Sequence, residues 1–249
     1  MPVNATTIIF SPYHVGIRDH RVENGPHRIY SLGIVQELER LEIEPGDKFE
    51  GEIDRSFEIL PRTFKAVHAS VERGTFPLVL SDNYMVTVGA ACGLDIKDPG
   101  FIYFDAHDDL DSPDHPFNYN RFIYVGLRDQ SNIQRQRVID AEMTCIWGNP
   151  NQKVNFLSEL YIQLTQKNYS AALVHLDLDS LNDFYGKVNG FPYPRGLFED
   201  NLLACINLVP KKRAPVSLTA YGDKIAKIAI RAISAFVQSL FDTGVLAKH

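Results

Sequence analysis

Two stretches of this chain join an apolar run to carboxylates spaced two apart. Residues 101–111 read F-I-Y-F-D-A-H-D-D-L-D, and residues 171–183 read A-A-L-V-H-L-D-L-D-S-L-N-D. The first supplies Asp105, His107 and Asp109, and the second Asp177 and Asp179. Carboxylates at the tip of a buried strand lose hydration and repel one another unless a cation holds them together. A mixed carboxylate and imidazole set suits Mn2+ first, with Zn2+ and Fe2+ as alternatives. Five such ligands suffice for one ion or two, and an ion held this way can activate water. The pattern predicts a metal site, with the metal performing the chemistry.

Other readings of the same residues fit less well. Either acidic turn alone could be a solvated loop. A D-x-D after a strand also opens the phosphoaspartyl hydrolases, but there it lies near the chain start, with Thr or Val two residues after the second Asp. Here it begins at Asp177 and continues with Ser180 and Leu181. A calcium loop starting at Asp105 needs glycine at its sixth position, which is Leu110.

The elements that must position these acids alternate along the chain. Apolar runs at 7–10, 77–80, 101–104, 122–125, 144–147, 172–176 and 216–219 read as strands. Helical periodicity marks 29–41, 61–73, 84–92, 132–142, 156–166, 199–207 and 224–241. The strand-like runs lack polar alternation, which implies sheets covered on both faces. The expected fold is a single α/β domain over residues 1–249, a three-layer α/β/α arrangement around a mostly parallel sheet. In such sheets ligands sit beyond the carboxyl ends of the strands, where both acidic runs fall.

Composition narrows the function classes. With 249 residues and 45% hydrophobic content the chain can bury a full core. No apolar stretch is long enough for a membrane span, and the first residues lack a signal peptide's basic region. The three cysteines (Cys92, Cys145 and Cys205) are scattered and read as reduced core residues of a cytoplasmic protein. A net charge of −6 without basic clusters argues against nucleic acid and leaves a small molecule, of cationic character, as the expected partner.

The combination of motifs resembles the ureohydrolase family of arginase, agmatinase and formiminoglutamase. Its D-A-H-x-D matches Asp105, His107 and Asp109, and its F-D-x-D-x-x-D matches Asp177 and Asp179, with Asp183 one residue late. Its Y-I-G-L-R-D is similar to Y-V-G-L-R-D at 124–129, and its G-T-P-x-x-G-G-L to G-F-P-Y-P-R-G-L at 190–197. Gly25-Pro26, followed by residues 27–30, looks like the family's G-P segment that opens a helix. The resemblance implies an arginase-like fold, two Mn2+ ions, and water-driven cleavage of a C–N bond in a guanidino, formimino or related amidine or amide compound. By the same resemblance Asp105 and Asp177 would bridge two ions, His107 and Asp179 would complete one position, and Asp109 would belong to the other. Family relatives often form trimers or hexamers, so a homo-oligomer is expected.

The chain also departs from the family. A family histidine after G-G-D is replaced by Asn83, in L-S-D-N-Y, which offers only a neutral carbonyl oxygen as metal ligand. The loop at 110–123 is short; it holds His115, the candidate proton shuttle and, with Asp109, the catalytic candidate. No acid stands where the family pairs a glutamate with the guanidinium; Asp223 is nearby but reads as a helix cap. His14 and His20 fall in the first loop at the active edge, and His175 reads as a hydrogen-bonded strand histidine. Two alternatives remain open at this level. One is a one-metal, Zn2+ deacetylase-like amidohydrolase on Asp105, His107 and Asp179, with Tyr221 as oxyanion donor. The other is a non-catalytic metal-binding relative.

Overall fold

Helices separate most successive strands of this chain, and all the described strand pairs are parallel. The computed structural model describes residues 5–11, 25–40, 49–50, 56–81, 86–109, 118–148, 153–169, 171–186, 195–212, 214–215 and 223–247. Within them the strands are β1 (Ala5–Ser11), β2 (Phe49–Glu50), β3 (Thr75–Ser81), β4 (Gly100–Phe104), β5 (Phe122–Leu127), β6 (Thr144–Trp147), β7 (Ala171–Leu176) and β8 (Ala214–Pro215). The helices are α1 (Gly25–Ser31), α2 (Ile34–Arg40), α3 (Ser56–Glu72), α4 (Val86–Gly93), α5 (Asn132–Asp140), α6 (Phe156–Gln166), α7 (Glu199–Leu208) and α8 (Asp223–Asp242). The strands form two ladders, β2-β1-β3 and β6-β5-β4-β7-β8, and every pairing between them is parallel.

Two apolar layers cover the strands, one on each face. Ile102 and Phe104 of β4 and Ala172, Val174 and Leu176 of β7 point into a core shared with α1, α2, α6, α7 and α8. Their sequence neighbours, Phe101 and Tyr103 of β4 and Leu173 of β7, point into the opposite core with α3, α4 and α5. Residues of β1 and β3 also divide between these cores, so both ladders contribute to each layer. This is the α/β/α order expected from uninterrupted apolar strands. No helix among the described residues is long and apolar enough to cross a membrane.

Six of the seven expected strands are present, and the strand expected at 216–219 lies outside the described residues. The helix expected over 29–41 is instead two, α1 and α2. Gly33 adopts φ +99, a left-handed conformation that only glycine takes without strain, and it ends one helix before the next begins. The periodicity continues across this break because Ile29, Ile34 and Leu38 all face the same core.

The second acidic run is fastened from outside its strand. A 3-10 turn (Leu178–Ser180) follows β7, and Leu181 then forms a parallel bridge with Leu197. That bridge is possible because residue 196 is glycine: a Cβ there would lie 2.1 Å from the Ser180 carbonyl oxygen and 2.5 Å from the Leu181 carbonyl carbon. Backbone cannot move aside as a side chain can. Gly196→Ala is therefore expected to cost about 2–3 kcal/mol of stability by overpacking, read from a denaturant titration. A loss within error of zero would show that the bridge is not a tight constraint.

Candidate metal centre

Strands β4 and β7 are hydrogen-bonded neighbours, with Tyr103 opposite His175 and Phe104 opposite Leu176. Their register brings the two acidic runs side by side just past the strand ends. The Asp177 N–H donates to the Phe104 carbonyl at 2.9 Å, and the Asp105 N–H to the Val125 carbonyl at 3.2 Å. The ladders thus continue into the motif backbone and hold it.

The side chains converge on two groups of three that share one residue. Asp105, His107 and Asp179 each offer a ligand atom within 4.8 Å of the others, and so do Asp105, His175 and Asp177. His107 Nδ1 lies 2.8 Å from Asp179 Oδ2 and 3.7 Å from Asp105 Oδ1. His175 Nε2 lies 3.5 Å from Asp105 Oδ2. The last distance is too long for a good hydrogen bond. Two atoms each about 2.1 Å from one cation would stand about 3.0–3.5 Å apart, so this spacing suits ligation better. Asp105 is fully buried, and its Oδ2 has no hydrogen-bond donor among the described residues. An orphaned carboxylate oxygen facing an imidazole, in a mixed Asp/His set, fits a divalent cation well.

Each ligand candidate is held by a second group. The His107 N–H donates to Asp105 Oδ1 at 2.7 Å, the Asp179 N–H to Asp177 Oδ1 at 2.8 Å, and the Ala106 N–H to Asp179 Oδ1 at 3.1 Å. Asp129 Oδ2 lies 3.1 Å from His107 Nε2, which directs Nδ1 towards Asp105 and Asp179. On the other side Thr87, in the first turn of α4, places Oγ1 3.0 Å from His175 Nδ1 and leaves Nε2 towards Asp105. Arg128 is 8% exposed and clamps the turn that carries Asp179. Its Nη2 donates to the Asp179 and Leu181 carbonyls at 2.6 and 3.0 Å, and its Nη1 to the Gly126 carbonyl at 3.0 Å.

Electrostatics express the crowding. Burial, and then repulsion from Asp179, pushes Asp105 up to about 7. Burial raises Asp109 and Asp177 well above the ordinary carboxylate range, with neighbouring acids adding to it. Burial alone would lower His107, but the Asp105 and Asp179 carboxylates outweigh it and push it up to about 12. Asp179 is the exception: burial opposes its ionisation, yet the His107 contact keeps it below the ordinary value. Burial lowers His175, favouring the neutral imidazole that a metal requires.

The structure brings together Asp105, His107, Asp177 and Asp179. Asp109 borders them, with backbone φ +48 and its charge felt by both histidines, but it belongs to neither group of three. Asp108, adjacent in sequence, turns away and binds Arg137 Nη2 at 2.8 Å and Gln130 Nε2 at 3.0 Å. Asn83, His115, Tyr221, His14 and His20 lie outside the described residues. His175 is the hydrogen-bonded strand histidine expected, through Thr87, and it also stands within ligand reach of Asp105 and Asp177. Asp129, Arg128 and Thr87 were not singled out. The Y-V-G-L-R-D run contained the signal for the first two, whereas nothing in the sequence near Thr87 points to His175.

Stability of the chelator-stripped protein should depend on pH. Asp105, Asp109, Asp177 and His107 all have folded-state values above their unfolded ones, so the folded chain binds more protons than the unfolded chain at neutral pH. Such groups stabilise at low pH and lose that contribution as pH rises through their folded values. Asp179 acts oppositely, but only near and below its ordinary value, and His175 only below about 6.5. From about pH 7 to 9 the thermal midpoint of stripped protein is therefore expected to fall, and saturating Mn2+ to remove most of the decline. A midpoint that rises over that range would contradict the charge arrangement.

No family model matches the chain. The arginase of Staphylococcus aureus (strain COL) is 28% identical to it, over 72% of this chain and 76% of that protein. Among solved structures, an arginase from Bacillus subtilis superposes with a TM-score of 0.82 at 16% identity, covering 94% of this chain and 98% of that one. The formimidoylglutamase of Bacillus subtilis superposes with a TM-score of 0.76 at 13% identity, covering 96% and 88%. At such identities the superpositions establish the fold alone, and it is the arginase fold. The chain thus has the arginase fold and a sequence similar to that of arginase.

Proposed function

We propose that this protein is a metal-dependent hydrolase that cleaves a C–N bond in a guanidino, formimino or related amidine or amide small molecule. Asp105, His107, Asp177 and Asp179, with Asp109 at the border, hold one or two Mn2+ ions, with Zn2+ and Fe2+ as alternatives. The observation that carries this reading is Asp105, shared between two groups of three at the carboxyl ends of adjacent parallel strands. We read residues 1–249 as one arginase-like domain.

When bound, a divalent cation in such a centre supplies Lewis acidity that lowers the pKa of water and orients it. The rest is the work of the chain. Asp129 fixes the orientation of the His107 ring, and Arg128 fixes the Asp179 turn through its carbonyls. Tyr103 and Tyr124, both buried, close the site from the sheet side and keep its dielectric low. Net hydrolysis adds water across the amidine carbon and breaks its C–N bond, and the departing amine takes up a proton. His115, on the loop at 110–123, is the proposed carrier of that proton. The acidic balance of the chain favours a cationic substrate, with no nucleic acid as partner.

A one-metal deacetylase-like centre would need only Asp105, His107 and Asp179. The second group, with His175 and Asp177, weighs against it because that reading leaves it without a purpose.

The test is to strip the full chain, reload it with Mn2+, and assay L-arginine, agmatine and N-formimino-L-glutamate for release of urea or formamide. Mn2+-dependent turnover of at least one compound class is expected. Asp129→Asn should reduce metal affinity or kcat about 10–100-fold while the chain stays folded. Metal-loaded protein with no turnover on any amidine or guanidine would sink the hydrolase reading.

A further inference from the structure

The strongest departure from the ureohydrolase pattern is Asn83, which stands where a metal-ligating histidine is expected. Loss of an imidazole from a two-ion centre leaves a hard, weakly held position. The described structure contains an imidazole in the right neighbourhood, but on a different element. His175 lies on β7, two residues before Asp177 and opposite Tyr103 of β4, which in turn precedes Asp105 by two. Strand alternation puts His175 on the same face as Leu173 and Tyr103, towards α4. Its ring is fully buried, with Nε2 3.5 Å from Asp105 Oδ2, and Asp105, His175 and Asp177 lie within ligand reach of one another. Asp105 Oδ2, the oxygen it faces, accepts no hydrogen bond from the described residues.

We propose that His175 is the nitrogen ligand of a second divalent-cation position, formed with Asp105 and Asp177, so that the centre holds two ions despite Asn83. This rests on the reading of the cluster as a hydrolytic metal centre, and it specifies how this chain completes that centre. Three arguments converge on it. The donor set of two carboxylates and one imidazole suits the same borderline cations as the group at His107. Asp105 presents Oδ1 to the His107 side and Oδ2 to the His175 side, the arrangement of a bridging carboxylate. His175 is also oriented as ligating histidines are, with its other ring nitrogen on a fixed partner, Thr87 Oγ1 at 3.0 Å. With an ion at Nε2, Nδ1–H must donate to that hydroxyl.

The exchange is economical in structural terms. Thr87 lies in the first turn of α4, four residues beyond Asn83. Helix α4 supplies the group that aims the imidazole, and β7 supplies the imidazole itself.

The experiment measures Mn2+ per chain by elemental analysis of full-length protein, stripped, reloaded and gel-filtered, with electron paramagnetic resonance to detect two exchange-coupled ions. Wild type should hold two Mn2+. His175→Ala should hold one, at the His107 position, without the exchange-coupled signal. Asn83→Ala should retain both. Thr87→Val keeps the imidazole but removes its partner, and should weaken the second ion about 10–100-fold while saturating at two. Circular dichroism and thermal melting check that His175→Ala folds; if it does not, Thr87→Val carries the test. Two ions in folded His175→Ala, loss of an ion in Asn83→Ala, or unchanged second-ion affinity in Thr87→Val would overturn the proposal and leave the hydrolase reading intact. One ion in wild type would overturn it likewise. No ion in wild type with either Mn2+ or Zn2+ would overturn both.

Discussion

Charge concentrated in a largely buried place is the constraint that the rest of the structure serves. Asp105 and Asp179 are buried, and Asp109 and Asp177 share their surroundings. Bringing several carboxylates this close costs desolvation and mutual repulsion, which neither sheet nor helix can offset by packing. The arrangement is tolerable with compensating positive charge. His107 provides part of it: its Nδ1 lies 2.8 Å from Asp179 and its Nε2 3.1 Å from Asp129. A divalent cation among the same oxygens would provide more, at the position towards which the His107 nitrogen already points.

The scaffold around this cluster is polar where it touches the motifs. Ladder hydrogen bonds from β4, β5 and β7 run on into Asp105 and Asp177, so each acid begins from a fixed backbone. Arg128 gathers carbonyls from both sides of the Asp179 turn, replacing hydrogen bonds that water would otherwise make. A buried guanidinium is costly, and burial lowers its pKa even as Asp179 and Asp105 oppose the shift. Its retention fits its geometry, because one planar cation reaches acceptors that no smaller donor could span. Gly196 and Leu197 close the turn from the outer side, where no Cβ has room.

Much of this was legible in the residues. Apolar runs ending in acids marked β4 and β7, and uninterrupted Val, Ile, Leu and Phe marked strands with two covered faces. The bounds of α6 and the strand at 144–147 agree with the expectation residue for residue. The expected helix at 29–41 failed at Gly33, because hydrophobic periodicity records which face is buried and does not register a break in the backbone. His175 has the hydrogen-bonded place in the strand that the sequence suggests, but a histidine inside an apolar strand looks the same in sequence whether or not acids also stand beside it.

By itself the sequence determined the scaffold type and the set of candidate ligands. Five ligand-type side chains at spacing two, after apolar runs, point to a cation, and alternating periodicities point to helix-covered parallel strands; both are local properties of the chain. Tertiary structure alone decided which of those side chains meet. The pairing of β4 with β7 makes Asp105 common to two groups and sets His175 between Thr87 and Asp105, while Asp108 turns away to Arg137 on α5. The contacts between the two acidic runs, and that of Thr87 with His175, join residues about 70 to 90 positions apart, and they exist only once strand register is set. Register is a collective property of the two packed cores, and no short segment carries it.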